Sequence, residues 1–172
     1  MKHYVITGGP GVGKTTVLEL LAERGYGIVP EAARMIIEEE TIRGSDVLPF
    51  KNLEKFQAAV AEKQLRNEAA AHSPINFLDR SIVDGYAYCV IGKIPPPEAM
   101  LKNARERYEK VFMLEPLDKY VQDEIRYEDG RLAKRIHDEI VKAYVHFGYA
   151  PIIVPVMAPE QRVAFILDKL SA

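Results

Sequence analysis

Apolar positions recur along the chain in two alternating rhythms. HYVIT at 3–7 is a short β-branched and aromatic run, and KTTVLELLAERG behind it carries Val17, Leu18, Leu20 and Leu21 at helical spacing before Gly25. The pattern predicts a strand, a glycine loop and a helix. YGIVP at 26–30 predicts a second strand, and EAARMIIEEETIR a helix after it. Gly44, Ser45, Asp46 and Pro49 mark a loop within 41–51, followed by a long helix from about Asn52 to Ala71 that carries Leu53, Phe56 and Val60. INFLD at 75–79 predicts a third, buried strand, and residues 82–91 a helix. The prolines at 95–97 break the chain, and PEAMLKNARERY restarts a helix with Pro97 in its first turn. KVFML at 110–114 and PIIVPV at 151–156 predict the fourth and fifth strands. Between them Leu132, Ile136, Ile140, Tyr144 and Phe147 fall on one helix face that Gly148 ends, and a last helix starts near Pro159.

Short apolar strands alternating with amphipathic helices predict an α/β fold, a parallel sheet covered on both faces. At 172 residues the chain is expected to form a single domain, 1–172, without repeats or linkers. Composition narrows the partners more than the fold. Lys and Arg number 23 against 25 Asp and Glu, so a net charge of −2 gives no bulk attraction to nucleic acid or an anionic membrane. With no basic cluster interleaved with aromatics, a nucleic-acid partner is not expected. Cys89, the sole cysteine, excludes an internal disulfide and reads as a small core residue. No apolar stretch approaches the roughly 18 residues of a transmembrane segment, and since the first strand-like run starts by residue 3, no secretory leader is expected. The plain expectation is a soluble cytoplasmic protein.

The chemistry begins at TGGPGVGKTT, residues 7–16, where Gly8, four residues and Gly13-Lys14-Thr15 match G-x-x-x-x-G-K-[ST] in full. Phosphate binding needs this loop between a strand and a helix, so that backbone N–H groups and the positive helix end meet one anion. The expected nucleotide-binding positions are Gly8, Gly9, Pro10, Gly11, Val12, Gly13, Lys14, Thr15 and Thr16. Lys14 is expected to reach the β and γ phosphates of ATP, Thr15 to offer its hydroxyl to Mg²⁺, and Thr16 to bond the α phosphate.

Ligands of an open parallel sheet sit beyond the carboxyl ends of its strands, and those positions are polar here. The second strand runs into Glu31, with Arg34 a turn later, and the third runs into Asp79-Arg80-Ser81. Asp79 reads as an acid that holds a water on Mg²⁺ or polarises an attacking hydroxyl, a role compatible with capping the next helix. Glu31 either complements a helix dipole or draws the proton from an acceptor hydroxyl, and its spacing to Arg34 equally suits a surface ion pair. Arg80 and Arg34 are candidate substrate anchors. Arg126 and Arg131, in QDEIRYEDGRLAKR at 122–135, are candidate cations for the γ-phosphate on a lid-like segment of about 117–135. Residues 41–72 and 92–108 are expected on the acceptor side. His3, His72, His137 and His146 show no metal-ligand spacing and read as structural or exposed.

GGPGVGKTT, VPEAAR, FLDRSIVDGYAY and FMLEPLDKYVQDEIRYED together resemble the small P-loop ATPase domains grouped with the NadR kinase domain, a nicotinamide riboside kinase. The order of parts is also similar to nucleoside and thymidylate kinases. The resemblance covers nearly the whole chain and implies a three-layer P-loop NTPase with strand order 2-3-1-4-5. It also implies Glu31 or Asp79 as base or acceptor anchor, Arg34 and Arg80 on substrate, and Arg126 and Arg131 in the lid. Adenine would lie near the lid and Met157–Pro159. The leading expectation is an ATP- and Mg²⁺-dependent phosphotransferase acting on a small metabolite such as a nucleoside or riboside. The alternative is a nucleotide-responsive ATPase with a protein or lipid partner. No N-K-x-D sequence supports guanine selectivity of the usual GTPase kind.

Overall fold

The computed structural model describes residues 1–117 and 124–170, with the side chains of 124–129 left aside. Five strands form its sheet: β1 (Lys2–Thr7), β2 (Gly27–Val29), β3 (Ile75–Asp79), β4 (Lys110–Leu114) and β5 (Ile152–Val154). All pairings are parallel and the order is β2-β3-β1-β4-β5, as the family resemblance implies. Seven helices are described: α1 (Lys14–Glu23), α2 (Ala32–Arg43), α3 (Leu53–Ala69), α4 (Ile82–Gly92), α5 (Glu98–Asn103), α6 (Glu124–His146) and α7 (Pro159–Asp168).

The strands are apolar throughout because both faces of the sheet are covered. Val5, Leu78, Val111 and Met113 point into one layer with Val83, Ala87, Ile140 and Tyr144 of α4 and α6. Their neighbours Tyr4, Ile6, Phe77, Phe112 and Leu114 point into the other, against Val17 and Leu21 of α1 and Val163 and Ile166 of α7. Successive residues of one strand thus serve two cores. Cys89 is fully buried in the first of them, and burial pushes its thiol up to about 11, which keeps it protonated.

Two helices depart from the sequence pattern. The helix expected from Pro97 through Tyr108 is only α5; Pro97 is its N-cap, and Glu106 takes φ 53° as the chain turns toward β4. Burial of Ala104 and Tyr108 stabilises that turn better than a continued helix would. On α6, Ile136, Ile140 and Tyr144 are buried as expected, but Leu132 is half exposed. This part of the helix meets the glycine loop, and it does so through Ala133 and His137. No helix among the described residues is long and apolar enough to cross a membrane.

Candidate functional site

The glycine loop leaves β1 at the centre of the sheet and opens α1. Gly13 caps α1 with φ 90°, a left-handed conformation that a side chain disfavours, and makes no side-chain cap hydrogen bond. The amides of the first helical turn therefore carry no side-chain cap. Pro10, Gly11, Thr15 and Thr16 are exposed, while Gly8, Gly9, Val12 and Lys14 are buried. The loop is held from behind by Arg162 of α7, whose guanidinium donates to Val12 O at 2.6 Å, Pro155 O at 3.1 Å and Glu115 O at 3.2 Å. One buried cation therefore ties the loop to the ends of β4 and β5.

Lys14 donates to Gly9 O at 3.1 Å. Burial, with Arg80 nearby, pushes its pKa down to about 8, against the pull of Asp79, Glu31 and Asp84. Of these carboxylates, Glu31 and Asp79 stand at the strand ends, and Asp84 on α4. Thr15, Glu31, Arg34 and Asp79 line one open cleft beside the loop. Asp79 Oδ1 is buried with no hydrogen-bond partner among the described residues. Burial, reinforced by Glu31, pushes the Asp79 carboxyl up to about 6, although Lys14 and Arg80 pull the other way. Asp79 does not cap the following helix. Ser81 does, in a reciprocal capping box with Asp84.

A carboxyl raised in the native state binds its proton more tightly folded than unfolded, so it destabilises the fold above pH 6 and not below about 4. Asp79→Asn is accordingly expected to raise stability by about 1–3 kcal/mol at pH 7. In urea titrations the gain should vanish as pH falls from 6 to 4.

Glu31 pairs with Arg80, Oε1 to Nε at 3.2 Å, and not with Arg34, which is exposed. Arg80 sits in left-handed backbone at φ 66°, which turns its side chain back over the site. Its other end lies 3.2 Å from Asp84, and its guanidinium is 5.7 Å from the Tyr88 ring centroid. Burial opposes the Arg80 charge, but Tyr88, Asp84, Glu31 and Asp79 more than offset it and hold the pKa above its ordinary value. Asp84 is 2% exposed and accepts from Thr7 Oγ1, Arg80, Ser81 N at 2.9 Å and Tyr144 Oη at 2.5 Å. Its lone pairs are committed to holding β1, α4 and α6 together.

Two cavities flank this centre. The first lies between α2, α3 and α4; Leu53, Phe56, Val60 and Tyr88 form apolar walls, and Glu31, Arg80 and Gln57 supply polar groups. Gln57 is 4% exposed, and its Oε1 has no partner among the described residues. The second lies between the loop residues Gly9–Val12, the end of β4 at Glu115 and Pro116, and α6 at Arg131, Lys134 and His137. Met157–Pro159 are not among its lining residues.

Arg131 thus faces the loop from α6, whereas the side chain of Arg126 lies outside the described residues. Residues 92–108 contribute no lining to the first cavity; Met100 and Ala104 are core. Four residues with parts in the site escaped the sequence reading: Asp84, Arg162, Gln57 and His137. Asp84 had a signal in the Ser81-x-x-Asp84 spacing, and Gln57 in being a polar residue on an apolar helix stripe. For Arg162 and His137 the sequence holds none.

The model of a family described as an AAA domain matches residues 3–162. The chain belongs to the AAA-domain family. No curated protein matches it. Among solved structures, this AAA domain is similar to a NadR protein in complex with NR, at 21% identity and TM-score 0.72, over 98% of this chain and 50% of that one. A NadR protein in complex with NAD and AMP-PNP gives 18% identity and TM-score 0.72, over 99% and 50%. Thymidylate kinase from Ehrlichia chaffeensis gives 15% identity and TM-score 0.66, over 99% and 98%. These likenesses show the P-loop NTPase fold. The AAA domain spans about half the length of the NadR chains it matches.

Proposed function

We propose that this protein is a small-molecule kinase that moves the γ-phosphoryl group of ATP to a hydroxyl of an unphosphorylated metabolite such as a nucleoside or riboside. The carrying observation is the position of Glu31. Its side chain lines both the cleft of Thr15 and Asp79 and the apolar cavity beneath α3. A carboxylate on the wall between a phosphate cleft and an acceptor-sized cavity is where a base must stand for phosphoryl transfer.

In this reading the loop amides and α1 bind the β and γ phosphates, and Lys14 neutralises their charge. The cavity under α3, with the 41–72 segment, takes the acceptor. The second cavity takes the nucleotide base beside α6, and Arg126 and Arg131, which the resemblance assigns to a lid-like segment of about 117–135, are the candidate cations. The acceptor oxygen attacks the γ phosphorus, its bond to the β–γ bridging oxygen breaks, and the acceptor proton passes to Glu31. Arg80 holds Glu31 in line. Arg34, at the mouth of the cleft, is assigned to substrate.

Mg²⁺ fits the donor set: Asp79 Oδ1 is an orphaned buried acceptor in the cleft that Thr15 lines. Thr15 and Asp79, the latter through water, would hold the ion, which when bound offsets charge on the phosphate oxygens.

Charge selects the acceptor class. Arg80 is the only Lys or Arg lining the acceptor cavity among the described residues, and it is already paired with Glu31 and Asp84. A phosphomonoester would meet two carboxylates and no uncommitted cation, so a nucleoside suits the cavity and its monophosphate does not. The unpartnered Gln57 carbonyl favours an acceptor with an N–H donor. Gln57→Leu is expected to raise KM for the true acceptor about tenfold while ADP affinity stays unchanged, by steady-state kinetics and calorimetry. A cytoplasmic setting with ATP supply, and no nucleic-acid partner, accords with this reading.

The test is incubation with ATP, Mg²⁺ and a panel of nucleosides, ribosides and their monophosphates, with product detected by mass. Phosphorylated nucleoside or riboside supports the proposal. Turnover that no acceptor stimulates, with partner capture that differs between ATP and ADP, would replace it by the nucleotide-responsive ATPase.

A further inference from the structure

The Gly9 amide of the loop is engaged by a helix from the far end of the chain. It donates to Nδ1 of His137, at 3.3 Å, on α6. The two residues are distant in sequence, so the bond joins the loop to the helix that walls the second cavity. The contact is close on every side. A Cβ placed on Gly9 would lie 3.0 Å from Ala133 O and 3.3 Å from His137 Cβ, so a side chain here would push against this turn of α6. Arg131 and Lys134, in the preceding turns, line the cavity that Gly9, Pro10 and Gly11 close from below.

We propose that His137 is a positioning residue: its neutral imidazole latches α6 onto the phosphate loop, setting Arg131 and Lys134 over bound nucleotide, and protonation releases the latch. The inference rests on the reading of this loop as a nucleotide site and adds to it a residue and a pH response. An imidazole that accepts at Nδ1 carries its proton on Nε2. A second proton would turn Nδ1 into a donor facing the Gly9 donor, and the bond would become a repulsion.

The charged groups around the ring are Asp138 and Lys134 on α6, Glu115 beyond β4 and Lys14 of α1. Burial lowers the pKa of His137, and Lys134 and Lys14 act the same way against Asp138 and Glu115. The latch is therefore made at neutral pH and opens on acidification. Proton uptake by the open form means that acid weakens nucleotide binding.

The experiment compares the full chain with His137→Asn, whose Oδ1 accepts at every pH, and His137→Phe, which keeps a ring and accepts nothing. ADP dissociation constants are measured by calorimetry between pH 5 and 8. ADP's own titration is common to all three proteins, so differences between them isolate the side chain. We expect His137→Phe to bind about tenfold more weakly than wild type at pH 7.5, His137→Asn to bind like wild type there, and wild type to approach His137→Phe below pH 6. Identical profiles for wild type and His137→Phe would overturn the proposal. Amide exchange at Gly9 in the nucleotide-free protein separates this from the wider reading: protection at pH 7.5 that is lost at pH 5.5 supports the latch, and unchanged protection overturns it. If wild type binds no nucleotide at any pH, the phosphate-site reading falls, and the latch's role over nucleotide falls with it.

Discussion

Lys14→Met is expected to lower phosphotransfer by at least ~100-fold and, in the same protein, to raise folding stability. On the proposed kinase reading, the first effect follows from removing the one cation buried within the loop, the charge that would meet the transferred phosphoryl group. The second follows from linkage. Burial and Arg80 hold the Lys14 pKa at about 8 in the folded state, below its ordinary 10.5, so the unfolded chain holds the proton more tightly between those values. Stability is lost as pH falls from 10.5 to 8, and the whole cost is present at pH 7. Removing the charge should recover about 1–2 kcal/mol at pH 7, discounted because Asp79 and Glu31 lose a compensating neighbour. The gain should disappear above pH 10.5. Urea unfolding at pH 7 and 10.5, beside an activity assay, checks both halves. A variant both inactive and less stable at neutral pH would contradict the account.

Asp84→Ala is expected to be the most destabilising single change in the site, at about 3–5 kcal/mol. Thr7 Oγ1, Ser81 N, Arg80 and Tyr144 Oη all donate to this one carboxylate, and the side chain is buried. Truncation leaves the buried Arg80 guanidinium without one of its two ion-pair partners, and the Tyr144 hydroxyl with Ser81 Oγ as its remaining hydrogen-bond partner. Thermal denaturation should show a midpoint roughly 10 °C lower. Asp84→Asn, which retains one acceptor oxygen, is expected to lose about half as much. Equal melting temperatures for Asp84→Ala and wild type would mean that the carboxylate does not hold β1, α4 and α6 together.

Much of this site is legible from local signals. The loop spacing locates Gly8 to Thr16, and the strand ends locate Glu31, Asp79 and Arg80, because an apolar run that stops at a charge marks where a buried strand meets solvent. What stayed hidden depends on tertiary partners. Glu31 chooses Arg80 over Arg34 because the left-handed turn at Arg80 brings that side chain across from another strand, and no spacing along the chain encodes the choice. Arg162 looks like any helix-surface cation until α7 packs behind the loop and three carbonyls converge on it. Helix α5 ends early because burial of Ala104 and Tyr108 outweighs local helix preference.

The central strand has an effect on how the chain reaches its native state. β1 has no partner close in sequence: Lys2 sits opposite Ile75 of β3, and Tyr4 opposite Lys110 of β4. During synthesis the strand that carries the glycine loop emerges before both of its partners, stays unpaired until β3 leaves the ribosome, and becomes an interior strand only after β4. On the proposed reading, nucleotide cannot chaperone the early steps, since the cavity between the loop and α6 is assembled near the end. A protein so ordered is expected to fold slowly for its size, and to be most exposed to misassembly while β1 waits for its partners.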